Sequence, residues 1–580
     1  VGKMTDTIPL KELDAVIFDC QATGQNPDSG IILELGWKSI NSSLMFGNAN
    51  SYSELVNPGD VLKIPNRVLK ITGISKDDLM NGSKIEEVWS KFIAFVKKEK
   101  NTLNCPIIIH YARFEKPWLK VLYKRYSKMD ELPHKIICTH EISKRLLPDI
   151  PRRGLRAVAG YFGFSTDEFR RCIHHVEATA FIWSHIVSLF EKKHGVYSFG
   201  DLKKWLKMPV ISSQSVKKYP MEKSMLSGIP CNPGVYRMIR SNGDILYIGK
   251  SHSLKKRVSS YFQKKTGHSE HILEMLSQAK KINYTVTGSA LEAALLESDE
   301  IKRIKPPYNK ALKINERELL FYSKDMAAFS SKHTGQYPIG PVPAQYNLLF
   351  FSQLIYLYQD WKNRISDSLI ILDSLFYGIN DEFKPDKECI EKGINLFFDT
   401  HYNTLKKGSL LTGFKKIALE SWIRKIDEQK RQNTIDTQEK EKKEDFEWTP
   451  LTVAHAIERS LRYGMCMIRR ARWYCILSES TITWTRKDPM ENRLNCIILY
   501  NGKIQKCSEL SVCDTVIIPP GFKKRFRSRQ EQFDISMYDR MRVLTTELRR
   551  LLNEKRSIVI RFNVSSAITN DQLKKLFQLV

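Results

Sequence analysis

The chain has 580 residues, 42% hydrophobic and 27% charged, a globular composition too apolar for a disordered chain. Lys and Arg outnumber Asp and Glu by 92 to 64, a formal net charge of +28, so the expected partner is a polyanion, with nucleic acid ahead of an anionic membrane surface. No run of about 18 apolar residues occurs and no apolar h-region opens the chain, so neither a membrane span nor a secretion signal is expected.

The length suggests about three to five domains at roughly 100–200 residues each. The eleven cysteines are scattered with no Cys-x-x-Cys pair, which fits reduced thiols in a cytoplasmic protein and offers no zinc site. The first segment, 9–193, opens with the buried-strand pattern AVIFDC, the turn TGQNPDSG and a second strand IILELGWKSI. PIIIHYA (106–112) is a further strand leading into a helix, and ATAFIWSHIVSLFEKKHG is an amphipathic helix ended by Gly195. The segment is therefore an α/β unit. Residues 194–228 form a helical connector.

In 229–313, PGVYRMIR and DILYIGK pair as a hairpin around Ser241-Asn242-Gly243. SLKKRVSSYF and SALEAALLESDEIKRIK follow as helices. Residues 314–428 are expected to be mainly helical, with FFSQLIYLYQDW, SLIILDSLF and FKKIALESWIRKI as the apolar faces. A charged linker, 429–447, leads to an α+β domain, 448–580. There a helix precedes the strands WYCILSES, TITWTRK and RLNCIILYNGKIQ, and YDRMRVLTTELRRLLNEK is a basic amphipathic helix. No internal repeat of fixed period is found.

The strings PGVYRM, DILYIGKSHSLKKRVSSYF and ALLESDEIKRIKPPYN stand in order across 229–313. Together they resemble the GIY-YIG nuclease module of the excision-repair subunit UvrC and its shorter homologue Cho. The resemblance implies phosphodiester hydrolysis with one Mg²⁺ or Mn²⁺, and residue chemistry agrees. Glu297 is a hard oxygen ligand for such a cation. Arg257 can clamp phosphate oxygens bidentately, and Lys250 adds a second positive charge. The resemblance places Tyr236 and Tyr247 face to face; Tyr247 is taken as general base or water-orienting group and Tyr236 as its support. Tyr261 follows Arg257 by one helical turn, and Asn309 would orient the site through its amide.

The segment 9–193 resembles the DEDD 3′–5′ exonucleases, such as the proofreading subunit of bacterial DNA polymerase III, with an RNase H-like fold. FDCQATG, HYARFEKPWL and RRCIHHVEATAFIW stand at the family's three motifs. Asp19 is kept. The next carboxylate falls on Gln21, the third on Glu115, the fourth on His175 and the general base on Arg170. Two divalent cations need about four negative charges, and two carboxylates remain. At a few Å each uncompensated unit pair costs about 4 kcal/mol even at an effective dielectric near 20. The expectation is an exonuclease fold without a working two-metal site, which still binds DNA in its cleft.

After Lys313 no acidic strand signature of a second nuclease domain is found, which points to one incision site. GFKKRFRSRQ (521–530) interleaves Lys523, Lys524, Arg525, Arg527 and Arg529 with two phenylalanines, a candidate DNA contact set against a plain basic loop. RYGMCMIRRARWY (462–474) admits the same two readings. The whole is expected to be a multidomain α/β nuclease that nicks DNA by structure or damage, the alternatives being a bifunctional nuclease with an active 3′–5′ exonuclease as well, or a non-catalytic DNA-binding scaffold. The partners implied are DNA and damage-recognition or other repair proteins.

Overall fold

The computed structural model describes the chain apart from residues 1–4, 42–49, 60–63, 101–104, 167, 210–218, 223, 264–266, 310–317, 345–347, 360–383, 408, 433–447, 487–492, 512–532, 563–565 and 580. Contacts divide it into two compact units, Val1–Thr287 with Ile304–Lys310, and Gly288–Arg303 with Ala311–Val580. The segment 229–313 is thus shared between them. The basic string 521–530, the apolar string SLIILDSLF and most of the charged linker lie outside the described residues.

In the first unit, β1 (Asp14–Ala22), β2 (Ile32–Asn41), β3 (Ser51–Leu55), β4 (Ile107–Ile109) and β5 (Ile136–Cys138) form one sheet in the order β3-β2-β1-β4-β5. β1 runs antiparallel to β2 and parallel to β4. This is the RNase H-like fold. Residues Ala15–Cys20 of β1 are all buried, as a continuous apolar run at the centre of a sheet covered on both faces must be. The helix Cys172–Lys193 packs Val176, Ile182, Trp183, Ile186 and Phe190 into the core on one face of the sheet. Trp89, Phe92 and Trp118 fill the other.

The second sheet of this unit has β6 (Gly234–Ile239) between β7 (Ile245–Ser251) and β8 (Lys281–Val286), all antiparallel. The β6–β7 hairpin turns through Gly243 at φ 96°, a conformation that suits a residue without Cβ. A buried polar latch ties this domain to the RNase H-like one. Arg240 donates to the Phe164 carbonyl (2.8 Å) and to Gln278 Oε1 (2.9 Å). Gln278 in turn donates to the Tyr308 hydroxyl (2.5 Å), which donates to Glu274 (2.7 Å). Gly160 lies so close to Gln278 that an added Cβ would overlap the amide.

The second unit opens with a feature the mainly helical expectation for 314–428 lacks. β9 (Leu319–Tyr322), β10 (Phe329–Ser330) and β11 (Ile339–Pro343) form a small antiparallel sheet. The helices Phe350–Gln359, Lys387–Leu405 and Leu410–Gln432 follow. WYCILSES is a second correction. Residues 473–477 are the last turn of the helix Pro450–Leu477, started by a Thr449 capping box with proline at its first position. β12 (Thr481–Thr485), β13 (Arg493–Tyr500), β14 (Lys503–Ser511), β15 (Ile558–Arg561) and β16 (Ala567–Ile568) make a five-stranded sheet ordered β14-β13-β12-β15-β16. Asn501 and Gly502, both at positive φ, turn β13 into β14. The basic helix Ile535–Asn553 buries Met541, Leu544, Leu548 and Leu551, as its apolar stripe requires. Among the described residues no helix is long and apolar enough to cross a membrane.

Candidate active site

Four aromatic and basic side chains meet at one end of the β6–β7 hairpin. Strand register sets Tyr236 opposite Gly249, and Met238 opposite Tyr247. The Tyr236 and Tyr247 ring centroids are 6.1 Å apart. Gly249 makes this approach possible, since a Cβ there would stand 2.5 Å from Tyr236 Oη and 2.8 Å from Tyr247 Cε1. Tyr236 is fully buried, and its hydroxyl pairs with that of Tyr261 at 2.9 Å. Arg257, on the helix Leu254–Ser260, lies over the Tyr261 ring at 5.2 Å.

The electrostatics separate the two tyrosines of the motif. Burial pushes the Tyr236 phenol well above the usual tyrosine range, and the neighbouring Tyr261 and Tyr247 add to it. Tyr236 is therefore a neutral hydrogen-bonding group at physiological pH. Tyr247 is only partly buried. Burial works against the Arg257 cation, but the phenols of Tyr236, Tyr261 and Tyr247 outweigh it and hold the guanidinium charged. A permanent cation facing a partly open tyrosine is a setting for a phosphate oxygen.

Asn309 is buried and closes the strand. Its Oδ1 accepts from the Ile248 backbone N–H at 2.9 Å and its Nδ2 donates to the Ile248 carbonyl at 2.8 Å. The amide thus fixes β7 between Tyr247 and Gly249. Lys250 is paired in register with Val235 and is partly buried. Glu297 is partly buried on the helix Ala290–Ile304, which belongs to the second unit. His268, which the sequence did not single out, stacks on Tyr261 with centroids 6.0 Å apart and bonds its carbonyl at 2.9 Å. Nothing in its sequence context marks it.

The second constellation sits at the RNase H-like sheet. Asp19 on β1, Glu115 on the helix Ala112–Ser127 and His175 on the helix Cys172–Lys193 converge. His175 Nδ1 is 3.1 Å from Asp19 Oδ2. Burial disfavours the imidazolium, but the Asp19 carboxylate and its hydrogen bond outweigh that and raise the His175 pKa. Glu115 is buried with Oε2 unpartnered among the described residues. Burial, then the Asp19 charge, push its carboxyl well above the usual range. Gln21 donates to the Arg170 carbonyl. His110 is buried between Thr139 and the Arg153 carbonyl, and burial lowers its pKa to about 3. Sequence reasoning missed Glu34, which is fully buried on β2 and accepts from Arg171 Nε (3.0 Å) and the Cys172 N–H (3.1 Å). Its partners lie 137 and 138 positions away, and no local pattern announces them.

Comparison with known proteins gives these two constellations a family each. The model of the UvrC-like GIY-YIG domain matches residues 232–310, and that of an exonuclease family matches residues 16–175. A putative bifunctional exonuclease/endonuclease protein of Mycobacterium tuberculosis is 26% identical over 322 residues, 54% of this chain and 46% of that protein. UvrABC system protein C of Nitrosomonas europaea is 51% identical over 87 residues, 15% of this chain and 14% of that one. The chain thus spans less than half the length of either relative. The magnesium-bound GIY-YIG N-terminal endonuclease domain of UvrC from Thermotoga maritima is 29% identical, covering 15% of this chain and 99% of that domain, with a TM-score of 0.14. The chain carries an exonuclease-family domain followed by a UvrC-like GIY-YIG nuclease domain.

Proposed function

We propose that this protein is a metal-dependent endonuclease that nicks DNA according to its structure or damage, in the manner of UvrC and Cho, and acts in repair in a bacterial cytoplasm. The observation that carries the reading is the convergence of Tyr236, Tyr247, Tyr261 and Arg257 on a hairpin pinned by Asn309, inside the segment matched to the UvrC-like domain. Arg257 would hold the scissile phosphate. Tyr247 would take a proton from the attacking water or orient it, since Tyr236, buried and hydrogen-bonded to Tyr261, is the poorer group to ionise and would support Tyr247 across the hairpin. Lys250 would add charge at the same strand.

Glu297 would hold Mg²⁺ or Mn²⁺. The donor set suits such an ion, since a single carboxylate with retained waters is a common way to bind it. The bound cation would neutralise charge on the phosphate and the leaving oxygen. The test is nicking of supercoiled plasmid in Mg²⁺ or Mn²⁺ by the parent and Glu297→Ala, across flap, junction, mismatch and lesion-bearing duplexes. Loss of nicking in Glu297→Ala with an unchanged fold supports the reading; retained nicking refutes the site.

The exonuclease-family domain is read as non-catalytic. Of the positions where the exonucleases carry carboxylates only Asp19 and Glu115 are acidic, Gln21 and His175 are not, and His175 Nδ1 already lies 3.1 Å from Asp19 Oδ2, so little negative charge is left for two divalent cations. Mononucleotide release from 3′-labelled strands that vanishes in Asp19→Ala would overturn this.

A further inference from the structure

The helix Ala290–Ile304 carries Glu297, and it is built into the core of the second unit. Leu291, Leu295, Asp299 and Lys302 follow one another at spacings of four, four and three, which places them along one stripe of the helix. Every member of that stripe is engaged within the second unit. Leu291 and Leu295 join the apolar cluster of Phe321, Trp473, Met537 and Met541. Asp299 receives a bidentate pair from Arg540, Nε to Oδ1 at 2.7 Å and Nη2 to Oδ2 at 2.9 Å. Lys302 Nζ lies 2.9 Å from Asp539 Oδ2 and 3.4 Å from the Ser536 carbonyl.

Asp539 and Arg540 are neighbours on the helix Ile535–Asn553, and they reach back to the two helical turns that follow Glu297. The two ion pairs are crossed in sign, an acid and a base on each helix, so a slide or a roll of one helix along the other opposes like charges. Asp539, Lys302 and Arg540 are largely shielded, with side chains 6%, 14% and 16% exposed. Shielding strengthens such pairs and fixes their geometry. Asp299 is two positions beyond Glu297, which is about 200° of helix rotation. The clamp therefore grips the side of the helix away from Glu297 and sets the direction in which that carboxylate points.

We infer that Arg540 and Asp539 are positioning residues for the metal ligand Glu297. The role of this part of the C-terminal half is to hold the ligand helix in one rotational setting. The inference rests on the reading of Glu297 as the cation's protein ligand. The helix with the ligand draws its packing from a region that matches neither nuclease family.

The test uses the full chain and Mn²⁺ as the probe, with free Mn²⁺ read by its aqueous EPR signal and nicking of plasmid as a second readout. Glu297→Gln is expected to abolish the strongest Mn²⁺ site. Arg540→Gln and Asp299→Asn are expected to weaken it about tenfold, the lower end for partners that orient a metal ligand. The exchanged pair Asp299→Arg with Arg540→Asp should recover most of that loss, which a general loss of stability would not do. Mn²⁺ affinity unchanged in Arg540→Gln and Asp299→Asn, with Glu297→Gln still lacking the site, overturns the inference and leaves the proposed site standing. Mn²⁺ binding unchanged in Glu297→Gln overturns that site and the inference with it. If Arg540→Gln does not fold, the exchanged pair decides: a folded double variant with parental Mn²⁺ affinity supports the inference, and one still weakened overturns it.

Discussion

Gly249→Ala puts the proposed active site to its sharpest test, because one methyl group meets both motif tyrosines. The added Cβ would lie 2.5 Å from Tyr236 Oη, 2.6 Å from its Cζ and 2.8 Å from Tyr247 Cε1, where ordinary contact begins at 3.4 Å. The rings must therefore move by about 0.6–0.9 Å, the differences between 3.4 Å and those distances. Tyr236 is fully buried and tied to Tyr261, so it cannot yield without disturbing Arg257 as well. Overpacking of this kind costs about 1–3 kcal/mol, and a misplacement near 1 Å at reacting groups costs about 10²-fold in rate. The expected outcome is a plasmid-nicking rate down by roughly two orders of magnitude with a melting temperature lowered by only a few degrees. Gly24→Ala is the control, since nothing lies within 4 Å of its Cβ. A Gly249→Ala enzyme nicking within twofold of the parent would show that the Tyr236–Tyr247 spacing does not set the rate.

Two further outcomes follow from the first unit. The raised His175 pKa means that the folded state holds this proton more tightly than the unfolded chain. That stabilisation is full below the ordinary histidine value of about 6.5 and is lost as pH rises through the folded value. Glu115, whose carboxyl is pushed up in the fold, acts in the same direction above the ordinary carboxylate value of about 4.3. His110, whose pKa burial lowers, contributes the opposite trend over the same range, so His175 is read by difference: the stability lost on His175→Asn should shrink from pH 6 to pH 8, and parallel curves would refute the pairing. Gly160→Ala should destabilise the chain by about 1–3 kcal/mol in urea unfolding, because the new Cβ overlaps the Gln278 amide. Alanine is the better helix former by about 1 kcal/mol, so a stabilised variant would show that the latch gives way easily.

Sequence was most informative where a pattern is local. AVIFDC reads as a buried strand because five of its six positions are apolar, Asp19 being the exception, whereas RLNCIILYNGKIQ, read as one strand, is turned at Asn501-Gly502 into the β13–β14 hairpin. WYCIL misled because a short aromatic and β-branched run suits a strand as well as a buried helix end. The periodicity of Val453, Ile457 and Leu461, continued to Trp473 and Leu477, was the better guide. The sheet of β9 to β11 escaped notice because its strands have four, two and five residues, too few to show alternation. Among the candidate site residues, Tyr236, Tyr247, Tyr261, Arg257 and Asn309 were singled out through the resemblance to the nuclease module, and Asp19 and His175 through that to the exonucleases; the structure brings the tyrosines and Arg257 together, and Asp19 beside His175. The partners of Glu34 and the clamp on Asp299 were not legible. Arg171 and Arg540 stand 137 and 241 positions from the carboxylates they hold, and pairing at that range is decided by packing.

The latch between Gly160 and Gln278 has a bearing on how such a chain could be rebuilt. A glycine inside the helix Leu155–Phe162 looks like a weak point when the RNase H-like domain is considered alone. Here it is a docking notch, cut to the depth of one amide on the neighbouring domain, with the Phe164 carbonyl waiting for Arg240 beside it. A homologous exonuclease grafted in its place would need that notch and that carbonyl at the same spot, whatever its own catalytic residues. The two modules are therefore joined less like beads on a string than like a key with one accepted blank.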